Sequence, residues 1–170
     1  MQSLKTTRIP SIWLLSISFI FFIQSCASWG AFKDGPKFEP HKSTDNNKAL
    51  IYIYKAIAYG LGEYPVIING KIVTIIKKGG YFPYEVEPGN VEVVLVEHVS
   101  DLSDVFTKGL VLTLIPDITH ELYLNVKAGE TYYIREDGGG EVDIEEVDNK
   151  DIALREISEC HLLPEYQNNN

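Results

Sequence analysis

The chain has 170 residues, of which 45% are hydrophobic and 23% charged, enough for one domain with its own core. Its net charge is −9, a surface that repels phosphate backbones and so excludes nucleic acid as a partner. The two cysteines and four histidines form no Cys-x-x-Cys, His-x-His or His-Glu-x-x-His spacing, so no metal and no cofactor is expected.

The first 25 residues read as a signal peptide. Lys5 and Arg8 supply a positive start, and Ile12 to Ile23 is an apolar run of 12 residues. As a helix that run would span about 18 Å, short of the roughly 30 Å hydrocarbon core, so it does not read as a permanent span. The junction Ile23-Gln24-Ser25-Cys26 resembles a bacterial lipobox, in which a small residue precedes the cysteine that receives lipid. That resemblance implies cleavage between Ser25 and Cys26 and acylation of Cys26, which anchors the chain to a lipid membrane. Cleavage removes two positive charges and no acid, leaving −11. Ala27 follows the cysteine, which by analogy with Gram-negative sorting favours the outer membrane, facing the periplasm or the cell surface.

Residues 26–47 hold the lipidated cysteine and then a stretch with two Pro, two Gly and no apolar period, read as a flexible tether. Trp29 and Phe32 within it are candidates for the headgroup layer. A domain is expected over residues 48–164. Ala49 to Ala56 is a first strand rich in Ile and Tyr. Asn69-Gly70, between Tyr64 to Ile68 and Lys71 to Ile76, is a strong hairpin signal, because both turn positions favour residues that accept positive φ. Lys77 to Gly80 is another turn, and Tyr81 to Val86 is a strand whose Pro83 implies an edge or a bulge. Pro88-Gly89-Asn90 leads into Val91 to Val96. Within Val99 to Pro116, Ser100 to Asp104 is polar and loop-like, and the apolar Leu110 to Ile115 fits either a buried strand or a short helix, since six residues do not define a period.

Glu121 to Val126 and Thr131 to Arg135 flank Ala128-Gly129-Glu130, read as a third hairpin. In Glu141 to Val147 the apolar Val142 and Ile144 alternate with acids, the pattern of a half-buried strand. Asp148 or Asn149 caps a final helix on which Ala153, Ile157 and Cys160 share one face, so Cys160 is expected to be buried and without a disulfide. Residues 165–170 form a polar tail. The pattern predicts a mainly β fold: an antiparallel β-sandwich of about seven to eight strands with one C-terminal α-helix.

Taken in order, several pieces resemble a known family: Leu50-Ile-Tyr-Ile-Tyr54, Ile-Ile-Asn-Gly-Lys71, Lys-Gly-Gly-Tyr-Phe82, Val-Glu-Pro-Gly89, Val-Lys-Ala-Gly-Glu-Thr-Tyr-Tyr-Ile-Arg135 and Glu-Ile-Ser-Glu-Cys160. The set is similar to the bacterial domain-of-unknown-function family 2846, over roughly residues 48–163. The resemblance implies a transthyretin-like, carboxypeptidase-regulatory type of β-sandwich, and brings no assigned activity and no catalytic residues.

Adjacent residues on a helix point about 100° apart, so Cys160-His161 does not read as a catalytic pair. The ten tyrosines are the main surplus, and Tyr52, Tyr54 and Tyr81 are the candidate binding face. The expected function is a non-catalytic envelope module contacting an envelope protein, peptidoglycan or saccharide. The alternatives are a surface-exposed inhibitor or effector acting on a host or competitor, and an envelope hydrolase.

Overall fold

The computed structural model describes residues 30–41, 45–60, 62–97, 119–138 and 142–167. The expected lipidation and cleavage residues Ser25 and Cys26, Trp29, and the Val99 to Pro116 stretch lie outside the described residues.

Among the described residues, nine strands and one helix follow in chain order: β1 (Ala49–Lys55), β2 (Tyr64–Ile68), β3 (Lys71–Ile76), β4 (Gly80–Val86), β5 (Gly89–Val96), β6 (Thr119–Val126), β7 (Thr131–Glu136), β8 (Ile144–Glu146), α1 (Lys150–Ile157) and β9 (His161–Leu162). They form two sheets, a five-stranded sheet A in the order β8-β7-β1-β4-β9 and a four-stranded sheet B in the order β3-β2-β5-β6. The mainly β sandwich with a C-terminal helix is thus present. Two pairings depart from an all-antiparallel plan, because β1 runs parallel to β7 and β4 runs parallel to β9.

Side-chain alternation decides what each sheet buries. Ile51 and Ile53 of β1 point inward with Phe82 and Ile134, and meet Val66, Ile68, Val93, Leu95 and Leu124 of sheet B. The opposite face of β1 carries Leu50, Tyr52 and Tyr54, and this face is buried as well. A strand covered on both sides reads as a continuous apolar run, which is what Ala49 to Tyr54 is.

The Asn69-Gly70 hairpin forms, with φ of 47° and 78°. Asn69 Oδ1 also accepts from the Glu92 amide at 3.0 Å, tying the turn to β5. Pro83 lies on β4 beyond the two residues, Gly80 and Tyr81, that pair with β9. The Gly79 and Tyr81 carbonyls accept from His161 and Leu163, so odd-numbered positions of β4 face β9. Pro83, which has no N–H to donate, therefore faces the stretch of edge that β9 leaves open.

The turn at Ala128-Gly129-Glu130 is not a hairpin. β6 pairs with β5 in sheet B, while β7 pairs with β1 and β8 in sheet A. Gly129 has φ 75° and reverses the chain, but the turn crosses between sheets and is stitched to the start of β1 by the Gly129 N–H to Lys48 oxygen bond of 2.9 Å. A turn residue fixes local curvature and not the partner of the next strand.

Asn149 is the helix cap, its Oδ1 accepting from the Asp151 and Ile152 amides at 3.1 and 3.3 Å. Ala153 and Ile157 lie inward on α1 against the outer face of sheet A, and Cys160 follows them at 0% exposure. No helix among the described residues is long and apolar enough to cross a membrane.

The segment read as a tether docks on the domain. Phe32 N–H bonds to the Lys78 oxygen at 2.8 Å, Leu162 N–H to the Pro36 oxygen at 2.8 Å, and Phe38 N–H to the Cys160 oxygen at 2.9 Å. His41 N–H then reaches the Tyr52 hydroxyl at 2.6 Å. Residues 32–41 thus form a strap that climbs sheet A from the β3–β4 turn toward the start of β1. The tail is also partly attached, since Tyr166 N–H bonds to the Val73 oxygen at 2.9 Å and its ring packs on Ile67, Ile72, Val94 and Val96.

Candidate functional site

The outer face of sheet A gathers the residues expected to form a binding face. Tyr52 and Tyr54 come from β1, Tyr81 from β4 and Tyr133 from β7. Register explains the meeting, because Tyr52 stands opposite Tyr133 and Tyr54 opposite Tyr81. Tyr52 stacks on Tyr133 at 5.5 Å, and Phe38 of the strap makes edge contacts with Tyr52 and Tyr81 at 5.5 and 5.1 Å. The structure brings the three candidates together, but not at the surface. Tyr52, Tyr54 and Tyr81 are 2%, 0% and 4% exposed. The strap and α1 cover them, so the tyrosine layer is a second core. Each hydroxyl has a partner where one is needed: Tyr52 accepts from His41 N–H, and Tyr54 donates to Glu156 Oε2 at 2.8 Å. Burial raises the pKa of Tyr52, Tyr54, Tyr81 and Tyr133 above the ordinary phenol value.

Beside this layer, Arg135 on β7 bridges two elements. Its guanidinium donates to both carboxylate oxygens of Glu156 on α1, at 2.8 and 3.0 Å, and also to Glu145 on β8. The Tyr59 ring lies 5.5 Å from the guanidinium carbon. This network fixes α1 against the sheet.

A second polar cluster closes one end of the sandwich. Lys55 continues the inward row of Ile51 and Ile53, and Glu136 continues that of Ile134. Both are 0% exposed, and Lys55 Nζ lies 3.1 Å from Glu136 Oε1. The ammonium also donates to the Gly62 oxygen at 3.1 Å and sits 4.6 Å from the Tyr64 ring centre. Glu136 Oε2 has no hydrogen-bond partner. Burial pushes the Glu136 carboxyl up, and Lys55 pulls it down only in part. Sequence reasoning missed this pair. Its one local sign was a charged residue at an inward position of β1, and its meaning depends on a parallel partner some eighty residues away.

Cys160 packs between Lys55 and Glu156, its Sγ 3.7 Å from the backbone oxygen of each. Burial pushes its thiol up to about 12, so it stays a protonated thiol at neutral pH. His161 Nδ1 instead lies 2.7 Å from the Gly35 oxygen, holding the strap. Among the described residues, no group of three or more His, Cys, Asp or Glu is placed to hold a metal ion.

The surface offers two distinct features. An open groove of about 320 Å³ lies between the strap and the free stretch of β4, lined by Lys37, Glu39, His41, Tyr81, Pro83 and Leu162. On the outer face of sheet B, Tyr123 of the edge strand β6 is 67% exposed, with its hydroxyl 2.7 Å from Glu121 and 3.0 Å from Glu92. Among the described residues β6 pairs with β5 alone.

The model of the family described as protein of unknown function (DUF2846) matches residues 45–145. No curated protein matches the chain. The strap, α1 and β9 lie outside the matched span.

Proposed function

With the chain belonging to the DUF2846 family of unknown function, we propose that it is an acyl-anchored envelope lipoprotein whose sandwich, of the transthyretin-like type, serves as a non-catalytic binding module. The anchor reading is supported by the apolar leader and the Ile23-Gln24-Ser25-Cys26 junction. The binding reading is carried by one observation: Tyr123 is 67% exposed on an edge strand of eight residues. An open strand edge offers a row of backbone donors and acceptors, and an exposed tyrosine beside it supplies apolar area with a polar tip. The acids flanking it, Glu92 and Glu121, favour a partner segment carrying lysine or arginine. Such a partner is an envelope protein; peptidoglycan, whose peptides carry amines, and saccharide are the other expected classes.

Several reactive groups among the described residues are held in structural contacts, which supports the non-catalytic reading. The Cys160 thiol is protonated and buried, Lys55 is paired with Glu136, and Glu156 is shared by Tyr54 and Arg135.

The test is a photo-crosslinking amino acid placed at Tyr123 in growing cells. It should trap a discrete adduct that Glu92→Lys together with Glu121→Lys abolishes. The same probe at Ser158, an exposed residue at the end of α1 on the outer side of sheet A, is the control. Equal adducts at both positions, or none at Tyr123, would remove β6 as the contact.

A further inference from the structure

We propose that the β3–β4 end of the sandwich stands against the bilayer, with Phe32, Lys33 and Lys77 at the level of anionic headgroups. This rests on the anchor reading above and assigns the anchored domain a membrane-facing end. Three observations carry it.

The first is chain path. The strap begins at Ala31 and Phe32, beside the β3–β4 turn: Phe32 N–H bonds to the Lys78 oxygen at 2.8 Å, and a Cβ on Gly79 would lie 3.1 Å from that of Ala31. From there the strap climbs to the opposite end before β1 begins. Residues 31–41 of the stretch read as a spacer therefore run along the domain's flank.

The second is reach. Only five residue steps separate Cys26 from Ala31, and a fully extended chain covers about 3.3–3.6 Å per step, so the strap base lies within roughly 18 Å of the acylated sulfur's backbone. The far end of the seven-residue β1 stands about 20 Å further away at the usual rise per strand residue. With so short a leash, the β3–β4 end is the one the membrane meets.

The third is charge. In a chain of net −9, Lys33, Lys77 and Lys78 gather at the strap base itself, with Asp34, Glu63 and Glu165 beside them and Glu97 and Asp137 further across the same end of the sandwich. Lys77 Nζ sits 4.8 Å from the centre of the Phe32 ring, pairing a cation with an aromatic as interfacial side chains do. At the opposite end Lys48 and Lys127 lie beside Glu87 and Glu130. An anionic surface therefore attracts the strap base and repels the bulk of the protein, and both effects set the same orientation.

The experiment uses the full, lipidated protein reconstituted into vesicles of phosphatidylcholine containing phosphatidylglycerol. A fluorophore is placed on Ala58→Cys, in the turn after β1, or on Asn46→Cys, in the turn before it, and energy transfer to a headgroup-labelled lipid is read. Both residues are exposed and neutral, and the native Cys160 is buried. Transfer should be several-fold greater from position 58 than from position 46. Lys33→Glu with Lys77→Glu should shrink that ratio toward one while the protein still floats with the vesicles. Equal transfer from both positions in the otherwise native chain would overturn the orientation while leaving the anchor in place, and a several-fold ratio untouched by the charge reversals would overturn the placement of Lys33 and Lys77 at anionic headgroups. A protein that does not float with vesicles at all would overturn the anchor reading and this inference together.

Discussion

Replacing Lys55 by Met tests how the buried charge pair works. Both partners are 0% exposed, and Glu136 Oε2 already lacks a donor. Lys55→Met removes the 3.1 Å bond to Glu136 Oε1 and leaves, among the described residues, a buried carboxyl group without its paired cation. Breaking a buried pair from one side typically costs about 3–5 kcal/mol, which for a domain near a hundred residues lowers the melting temperature by roughly 15 °C or more. Lys55→Met with Glu136→Leu removes both charges and should recover most of that loss, since apolar replacement of a whole pair is often neutral or stabilising by about 1–4 kcal/mol. The Gly62 oxygen loses its donor in both variants, so this smaller cost cancels in the comparison. Urea denaturation of the wild type, both single variants and the double variant gives the cycle. The pH dependence has a defined sign. Burial raises the folded-state pKa of Glu136 above 4.5, so the folded state holds that proton more tightly than the unfolded chain. Stability from this group is present at low pH and is lost as pH rises from the ordinary glutamate range through the raised value. Glu136→Gln should flatten that part of the curve. Single variants costing less than about 1 kcal/mol, or costs that simply add, would refute the reasoning.

Three further outcomes follow from the tyrosine layer and its cover. Phe38→Ala removes the ring wedged between Tyr52 and Tyr81, and amide exchange should quicken across residues 32–41 while β1 stays protected. Cys160 should resist a thiol reagent in the native protein and react once the chain is unfolded in urea, because its thiol is buried and pushed up to about 12. Burial raises Tyr52, Tyr54, Tyr81 and Tyr133 above 10.0, so their stabilisation holds below that pH and is lost as pH rises beyond it; an ultraviolet titration should show these phenols ionising together with a cooperative alkaline unfolding.

Local chemistry was the legible part of this fold. Asn69-Gly70 needs positive φ and makes its hairpin, Pro83 sits where no partner asks for an N–H, Asn149 caps α1, and Ala153 and Ile157 turn inward as their spacing implies, whereas Cys160 is buried from the turn past the end of α1 and not from the helix face expected for it. What failed was partner choice at a distance. Gly129 announced a turn correctly, yet β6 and β7 belong to different sheets, because β7 finds a better neighbour in β1. The same non-local pairing hid the Lys55–Glu136 contact. The tyrosines of β1 suit a binding face or a packed core equally by pattern, because alternation identifies a shared face without saying what lies on it. The cover came from a segment whose Pro and Gly content resembled a linker, and whose docking depends on backbone bonds to β9 and one well-placed Phe38 rather than on any apolar period.

The account depends above all on how the amino end of the mature protein is finished. Mass spectrometry of the N-terminal peptide from membrane-extracted protein should find Cys26 as the first residue, carrying a diacylglyceryl group on sulfur and an acyl group on its amine. A free Cys26 thiol, or a peptide still carrying Ser25 and the residues before it, would contradict the account.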